Sequence, residues 1–107
     1  GTVKFYQYIK GEFIAAYDHA SADKNERTVI GIEGDRFKVL FKQITGFVAR
    51  RIVCELRVGD KVKIGEKFGM IKFGSRTDVI MPINANIKVS VNQKVTGGIT
   101  LLAEVPE

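Results

Sequence analysis

The link Gly74-Ser75 lies where one apolar run, Phe68–Phe73, stops and another, Val79–Met81, begins almost at once. A glycine at such a junction tolerates backbone conformations that other residues resist, and the hydroxyl that follows can approach the preceding carbonyl. An N→O acyl shift needs that geometry. Ser75 Oγ attacks the Gly74 carbonyl carbon, the amide becomes an ester, and β-elimination leaves dehydroalanine, which hydrolyses to a pyruvoyl group at a new N-terminus. Gly-Ser is also a common turn pair, and spacing alone favours the turn.

The remaining chemistry-bearing residues are few. Arg50-Arg51 follows Ile44-Thr45-Gly46-Phe47-Val48-Ala49. Neighbours on a strand point to opposite faces, so at least one arginine approaches the core or a cleft. A guanidinium there pairs with a carboxylate or, more sharply, with a phosphate. His19 stands beside Asp18 in a polar stretch and reads as solvated. Ser21, Ser75 and Ser90 lack a G-x-S-x-G elbow, and no G-x-G-x-x-G, P-loop or H-E-x-x-H occurs. One histidine and one cysteine exclude an internal disulfide and a multi-cysteine zinc site. Cys54, within Ile52-Val53-Cys54, reads as a small buried hydrophobe.

The 107 residues form one domain or part of one, with 45% hydrophobic and 27% charged residues. No apolar run reaches the roughly 18 residues of a membrane-spanning helix. The net charge of +5 is uneven: residues 1–74 carry 14 Lys/Arg against nine Asp/Glu, and residues 75–107 carry three of each. Such an excess suits nucleic acid or an anionic phospholipid surface. The chain opens on Gly1 without a leader, which reads as a processed product or an excised piece.

The elements that must position these residues are strands, because the apolar period is two. In Thr2–Ile9, Val3, Phe5 and Ile9 are expected on one face, with Tyr6 and Tyr8 on the other. Thr28–Glu33 and Arg36–Lys42 read as a hairpin around a two-residue Gly34-Asp35 type II′ loop. Further strands are expected in Phe47–Leu56, Phe68–Phe73, Val79–Met81, Ile87–Val91 and Ile99–Val105, and Ala20–Arg27 is a helical turn or a polar loop. Short strands at this spacing indicate an all-β sandwich or barrel.

An internal repeat supports that class. Val58-Gly-Asp-Lys-Val-Lys-Ile-Gly65-Glu-Lys-Phe68 matches Val91-Asn-Gln-Lys-Val-Thr-Gly-Gly98-Ile-Thr-Leu101 at an offset of 33. A short strand, a glycine turn and an apolar strand recur in register. This is the rhythm of lipoyl/biotinyl-like half-barrels, two of which bury each other's apolar faces. The expected fold is therefore an all-β barrel-sandwich hybrid of two such half-barrels with an N-terminal β-hairpin region.

Three segments in order, Asn25-Glu26-Arg27, then Ile44–Cys54, then Gly69-Met-Ile-Lys-Phe-Gly74-Ser75-Arg76-Thr-Asp-Val-Ile-Met-Pro82, resemble phosphatidylserine decarboxylase. The resemblance covers essentially all 107 residues and is closest to the short prokaryotic branch with its F-G-S-R motif; archaetidylserine decarboxylases are closely similar. It implies a proenzyme cleaved between Gly74 and Ser75. Residues 1–74 would belong to a β chain and residues 75–107 to an α chain, together one catalytic domain. The cofactor would be the pyruvoyl group derived from Ser75, which would form a Schiff base with the headgroup amine and take up the electrons released with CO₂. The implied partner is an anionic phospholipid, with peripheral association at the cytoplasmic face of the membrane, no nucleic acid and a possible homodimer. Arg50 or Arg51 is the candidate for holding the phosphate. The family's self-cleavage histidine and its aspartate belong to segments resembling V-H-x-N-R-x-P and P-A-D-G, which this sequence lacks and His19 does not replace. This chain alone is therefore expected neither to cleave itself nor to turn over lipid.

Two other classes compete. A lipoyl or biotinyl carrier would present a modified lysine at a hairpin tip, but Lys72 in Met70-Ile71-Lys72-Phe73 lies within an apolar run. A basic nucleic-acid-binding barrel could stack bases on Phe5, Tyr6, Tyr8, Phe37 and Phe41, although aromatics at period two are more often core and cross-strand pairs.

Overall fold

The computed structural model describes residues 1–14, 17–46, 52–71 and 75–106. Its elements are β1 (Thr2–Ile9), α1 (Ser21–Lys24), β2 (Arg27–Glu33), β3 (Lys38–Ile44), β4 (Ile52–Cys54), β5 (Gly69–Ile71), β6 (Arg76–Ile80), β7 (Asn86–Ile87) and β8 (Ala103–Glu104). Strands β1, β2, β3 and β6 form an antiparallel sheet in that order, and β4–β5 and β7–β8 are two-stranded ribbons. The chain is all-β apart from the single turn of α1, and the described strands close no barrel. No described helix is long and apolar enough to cross a membrane.

The alternation expected in β1 is broken by a bulge. Val3 faces Ile32, but Phe5 faces Gly31 and Tyr6 faces Ile30, so the register slips between Val3 and Phe5. A slip of one residue moves every later side chain to the other face. Val3 is accordingly fully buried and Tyr6 packs with it, whereas Phe5 is 46% exposed. The expected grouping of Val3 with Phe5 is corrected by this bulge. The β2–β3 hairpin forms, but its loop is Gly34–Phe37, closed by the Gly34 N–H donating to the Phe37 carbonyl at 3.0 Å. Gly34 is not among the positive-φ glycines, so the two-residue II′ turn is not made.

The core lies between one face of the sheet and the β4–β5 ribbon. Val3, Ile30 and Leu56 form its buried centre, closed by Tyr6, Ile32, Phe41, Cys54, Val62 and Phe68. The rings of Phe41 and Phe68 meet at 5.2 Å between centroids and 54°, a tilted geometry that favours the aromatic quadrupoles. Burial raises the Cys54 thiol pKa above its ordinary value of 9.0, with a smaller push from Glu55. A group with a raised native pKa contributes stability below its unfolded value and loses it as pH rises through the native one. Stability should therefore hold up to about pH 9 and fall above it. Disulfide-reagent labelling at pH 8 should be slower in the native protein than in denaturant, and equal rates would contradict the packing.

The repeat is present in the backbone. Among the described residues, those with positive φ are Gly59 (98°), Gly65 (78°), Asn92 (69°) and Gly98 (76°). Gly59 corresponds to Asn92 and Gly65 to Gly98 at the offset of 33. Nothing lies within 4 Å of a Cβ built on Gly65 or Gly98, so glycine serves the left-handed φ there and not the space. The hydrogen bonds repeat as well. Asp60 N–H donates to the Arg57 carbonyl and Gln93 N–H to the Ser90 carbonyl; Glu66 N–H donates to Lys63 and Ile99 N–H to Thr96. The side chain of Asp60 accepts from the Arg57 N–H, and that of Gln93 from the Ser90 N–H. The copies differ in burial: Leu56, Val62 and Phe68 pack on the core, while Val91, Val95, Ile99 and Leu101 are exposed.

Candidate functional site

Ser75 immediately precedes β6, and the register fixes its neighbourhood. Arg76 faces Ile44 of β3, and Ile44 faces Arg27 of β2. One end of the sheet thus gathers Asn25–Arg27, Ile44–Gly46 and Ser75–Asp78, pieces of all three segments singled out above. They are far apart in sequence and adjacent in space.

Polar bonds brace this end. Asn25 is fully buried. Its side-chain N–H groups donate to the carbonyls of Ile14 and Thr45, both at 2.7 Å, and its Oδ1 accepts from the Ile14 N–H at 2.9 Å. Thr45 Oγ1 and the Thr45 N–H both donate to the Glu26 carbonyl, at 2.9 and 3.1 Å. Arg27 donates to the Asn25 carbonyl at 2.9 Å. The Tyr8 hydroxyl donates to the Glu26 carboxylate, which, with lesser burial and charge effects, raises the tyrosine pKa. The chain 12–25 is thereby tied across β2 and β3: Glu12 N–H donates to the Lys24 carbonyl, and Glu26 N–H to that of Glu12.

Arg76 anchors the first residue of β6. Its Nε and Nη2 donate to the two oxygens of Asp78 at 2.6 and 3.2 Å, and its Nη1 reaches the Asp18 carbonyl and Ser21 Oγ at 3.4 Å each. This bidentate pair is half-exposed and contributes position more than stability. Together with the β3–β6 ladder, it holds position 75 in place whether or not the chain continues upstream of it. Ser75 itself is exposed.

Of the sequence candidates, Ser75 is placed at this bracket, and His19 is exposed in the loop whose Asp18 carbonyl meets Arg76. Gly74, Arg50 and Arg51 lie outside the described residues. Among the described residues no group of His, Cys, Asp or Glu is arranged to hold a metal. The sequence reading missed Asn25, Thr45 and the Arg76–Asp78 pair as structural parts of the site. Their signal was weak: single polar residues at strand ends, where turns and caps also place them.

Comparison with known proteins agrees with this geometry. The family model for phosphatidylserine decarboxylase matches residues 1–103. The phosphatidylserine decarboxylase proenzymes of Chlorobium luteolum and Prosthecochloris aestuarii are 48% identical over 103 residues and 49% identical over 106 residues, covering 96% and 99% of this chain and 49% of each relative. That of a Wolbachia from Brugia malayi is 47% identical over 106 residues, 98% of this chain and 46% of its own length. The chain thus spans about half the length of the curated relatives it matches. No solved structure matches it. With described pieces of the three motif segments meeting at one end of the sheet and the match running through nearly every residue, the chain belongs to the phosphatidylserine decarboxylase family.

Proposed function

We propose that the natural protein containing this chain decarboxylates phosphatidylserine to phosphatidylethanolamine, using a pyruvoyl group formed from Ser75 after cleavage of the Gly74-Ser75 bond. The observation that carries this reading is the placement of Ser75 at the braced sheet end where the three family segments converge. The site fits such a group: position 75 is exposed, directly precedes an anchored strand, and needs no separate cofactor cavity. The group's α-keto amide supplies an electron sink for loss of CO₂ from the serine headgroup. The chain's own residues hold that terminus. Five β3–β6 pairs, from Leu40↔Ile80 to Ile44↔Arg76, keep residues 75–107 attached to residues 1–74 once the bond is cut. The two portions act as one catalytic unit.

The duplicated 58–68 and 91–101 segments belong to the two half-barrels of a barrel-sandwich hybrid. The basic excess of residues 1–74 draws the protein to anionic lipid at the cytoplasmic face of the membrane, and a homodimer is the expected assembly. The test uses the full-length natural protein with vesicles of 10% phosphatidylserine in phosphatidylcholine. Ethanolamine lipid should appear, and cyanoborohydride added during turnover should increase the mass of a fragment beginning at position 75. Intact chain and unchanged lipid would refute the reading.

A further inference from the structure

The hairpin that carries the glycine turns is present twice, and only one copy has a strand against its edge. In the first, β4 pairs with β5 as Val53↔Met70 and Cys54↔Gly69; in the second, β7 pairs with β8 as Asn86↔Glu104 and Ile87↔Ala103. The offset of 33 carries Val53 to Asn86 and Cys54 to Ile87, with the return strand slipped by one residue. The next bond inward repeats with the same slip: Glu55 N–H donates to the Phe68 carbonyl, and Lys88 N–H to that of Leu102. With the matching turns between them, residues 53–70 and 86–104 are two copies of one hairpin.

The first copy is docked. Gly1–Val3 lies antiparallel to its 59–62 edge. Val3 N–H donates to the Asp60 carbonyl and Gly59 N–H to that of Val3, both at 2.8 Å. Val62 N–H donates to the Gly1 carbonyl, and the Gly1 nitrogen to that of Val62, each at 2.9 Å. Lys61 Nζ adds a bond to Thr2 Oγ1 at 2.7 Å. Leu56, Val62 and Phe68 then close on Val3 and Ile30. In the second copy the equivalent groups are the N–H of Asn92 and Val95 and the carbonyls of Gln93 and Val95. None of them is hydrogen-bonded among the described residues. The apolar side chains of this copy are bare: Ile87, Val91, Val95, Ile99, Leu101 and Leu102 are exposed, Val91 by 92% and Ile99 by 82%. An open strand edge beside an apolar surface invites pairing with another strand.

We propose that a strand from the part of the natural chain outside residues 1–107 docks on the Asn92–Val95 edge, as Gly1–Val3 docks on Gly59–Val62. The curated relatives are about twice the length of this chain, which leaves ample chain to supply it. The docked strand of the first copy describes its occupant: an extended segment, antiparallel to the edge, with an apolar residue in the place of Val3 to cover the bare side chains. Their removal from water and four new backbone bonds favour the docking. The strand is also a second tie on residues 75–107, beside the five β3–β6 pairs. That role rests on the decarboxylase reading, since it matters only once the 74–75 bond is cut; the docking itself does not.

Three measurements on the full-length natural protein test this. In the uncut Ser75→Ala form, site-resolved hydrogen exchange should find the Asn92 and Val95 amides slowed at least about 10³-fold relative to a free chain, like those of Gly59 and Val62. Free-chain rates at 92 and 95, with 59 and 62 protected, overturn the proposal. Lys94→p-benzoylphenylalanine places a photoreactive ring at the counterpart of Lys61, and irradiation should join it to a peptide outside residues 1–107 of the same molecule. A product of doubled mass would put a second copy on the edge, and a link confined to residues 1–107 would put this chain's own residues there; either overturns the assigned occupant. In the cut protein, Val95→Pro removes one N–H of the edge and should release fragment 75–107 on gel filtration in about 2 M urea, where the unsubstituted protein keeps it. Equal retention overturns the second tie. Protection at 92 and 95 in a protein that never cuts would sink the decarboxylase reading and leave the docked strand standing; cutting and lipid turnover without that protection would do the reverse.

Discussion

Ser75→Ala in the full-length natural protein should leave a single uncut chain and reduce decarboxylation by at least about 10³-fold. The substitution removes only Oγ, from an exposed residue ahead of β6, so folding should be unaffected and melting temperature should stay within about 2 °C. In the proposed mechanism the loss has two sources that one oxygen controls. Without the hydroxyl nothing attacks the Gly74 carbonyl, so the chain stays whole. Without the cut no electron sink forms at position 75. Ser75→Thr keeps the nucleophile but adds a methyl group, and should cut slowly and incompletely. Intact-mass spectrometry and a lipid assay on the same samples read both effects. Full activity in the alanine variant would end the assignment.

Asn25→Ala should produce the largest loss of stability of any substitution at this end of the sheet. Three bonds vanish from a fully buried side chain. The Ile14 N–H and the Ile14 and Thr45 carbonyls are left without their partner in a region closed to water. Each orphaned group costs about 1–3 kcal/mol, so a total of about 3–5 kcal/mol is expected, partly relieved if a water enters. Asn25→Asp is nearly isosteric but cannot donate at neutral pH, and its ionised carboxylate would confront two carbonyls, so it should be no better. Urea denaturation of the full-length variants gives the stability. Self-cleavage should slow as well, because Thr45 and chain 12–25 position the strand ends beside Ser75. Wild-type denaturation midpoints in both variants would show that the Asn25 bracket carries no load.

What could be read from the sequence followed the terms that are local. Val, Ile and Phe at period two marked β1, β2 and β3, and Gly65 and Gly98 marked turns whose left-handed φ is there in the backbone. What failed were terms set by distant partners. The bulge between Val3 and Phe5 is imposed on β1 by its neighbours: Val3 N–H donates to the Asp60 carbonyl and its own carbonyl accepts from Gly59, while Phe5 passes over Gly31. No periodicity within Thr2–Ile9 contains that information. Strands β7 and β8 are two residues each where longer runs were expected, and Ile87, Val91, Ile99 and Leu101 around them are exposed. Ser75 was legible as chemistry only with its family context. Its bracket of Asn25, Thr45 and Arg76 required the register of three strands, which sequence spacing does not encode.

The two copies of the 11-residue motif, 33 residues apart, are packed unequally. In the first, Phe68 lies against Phe41 and Leu56 is 8% exposed, so a change of volume is felt at once. In the second, the residue matching Phe68 is Leu101, 59% exposed, and the one matching Gly59 is Asn92, another residue that tolerates a left-handed backbone. Within residues 1–107, a change of volume at Leu101 should therefore cost less stability than one at Phe68.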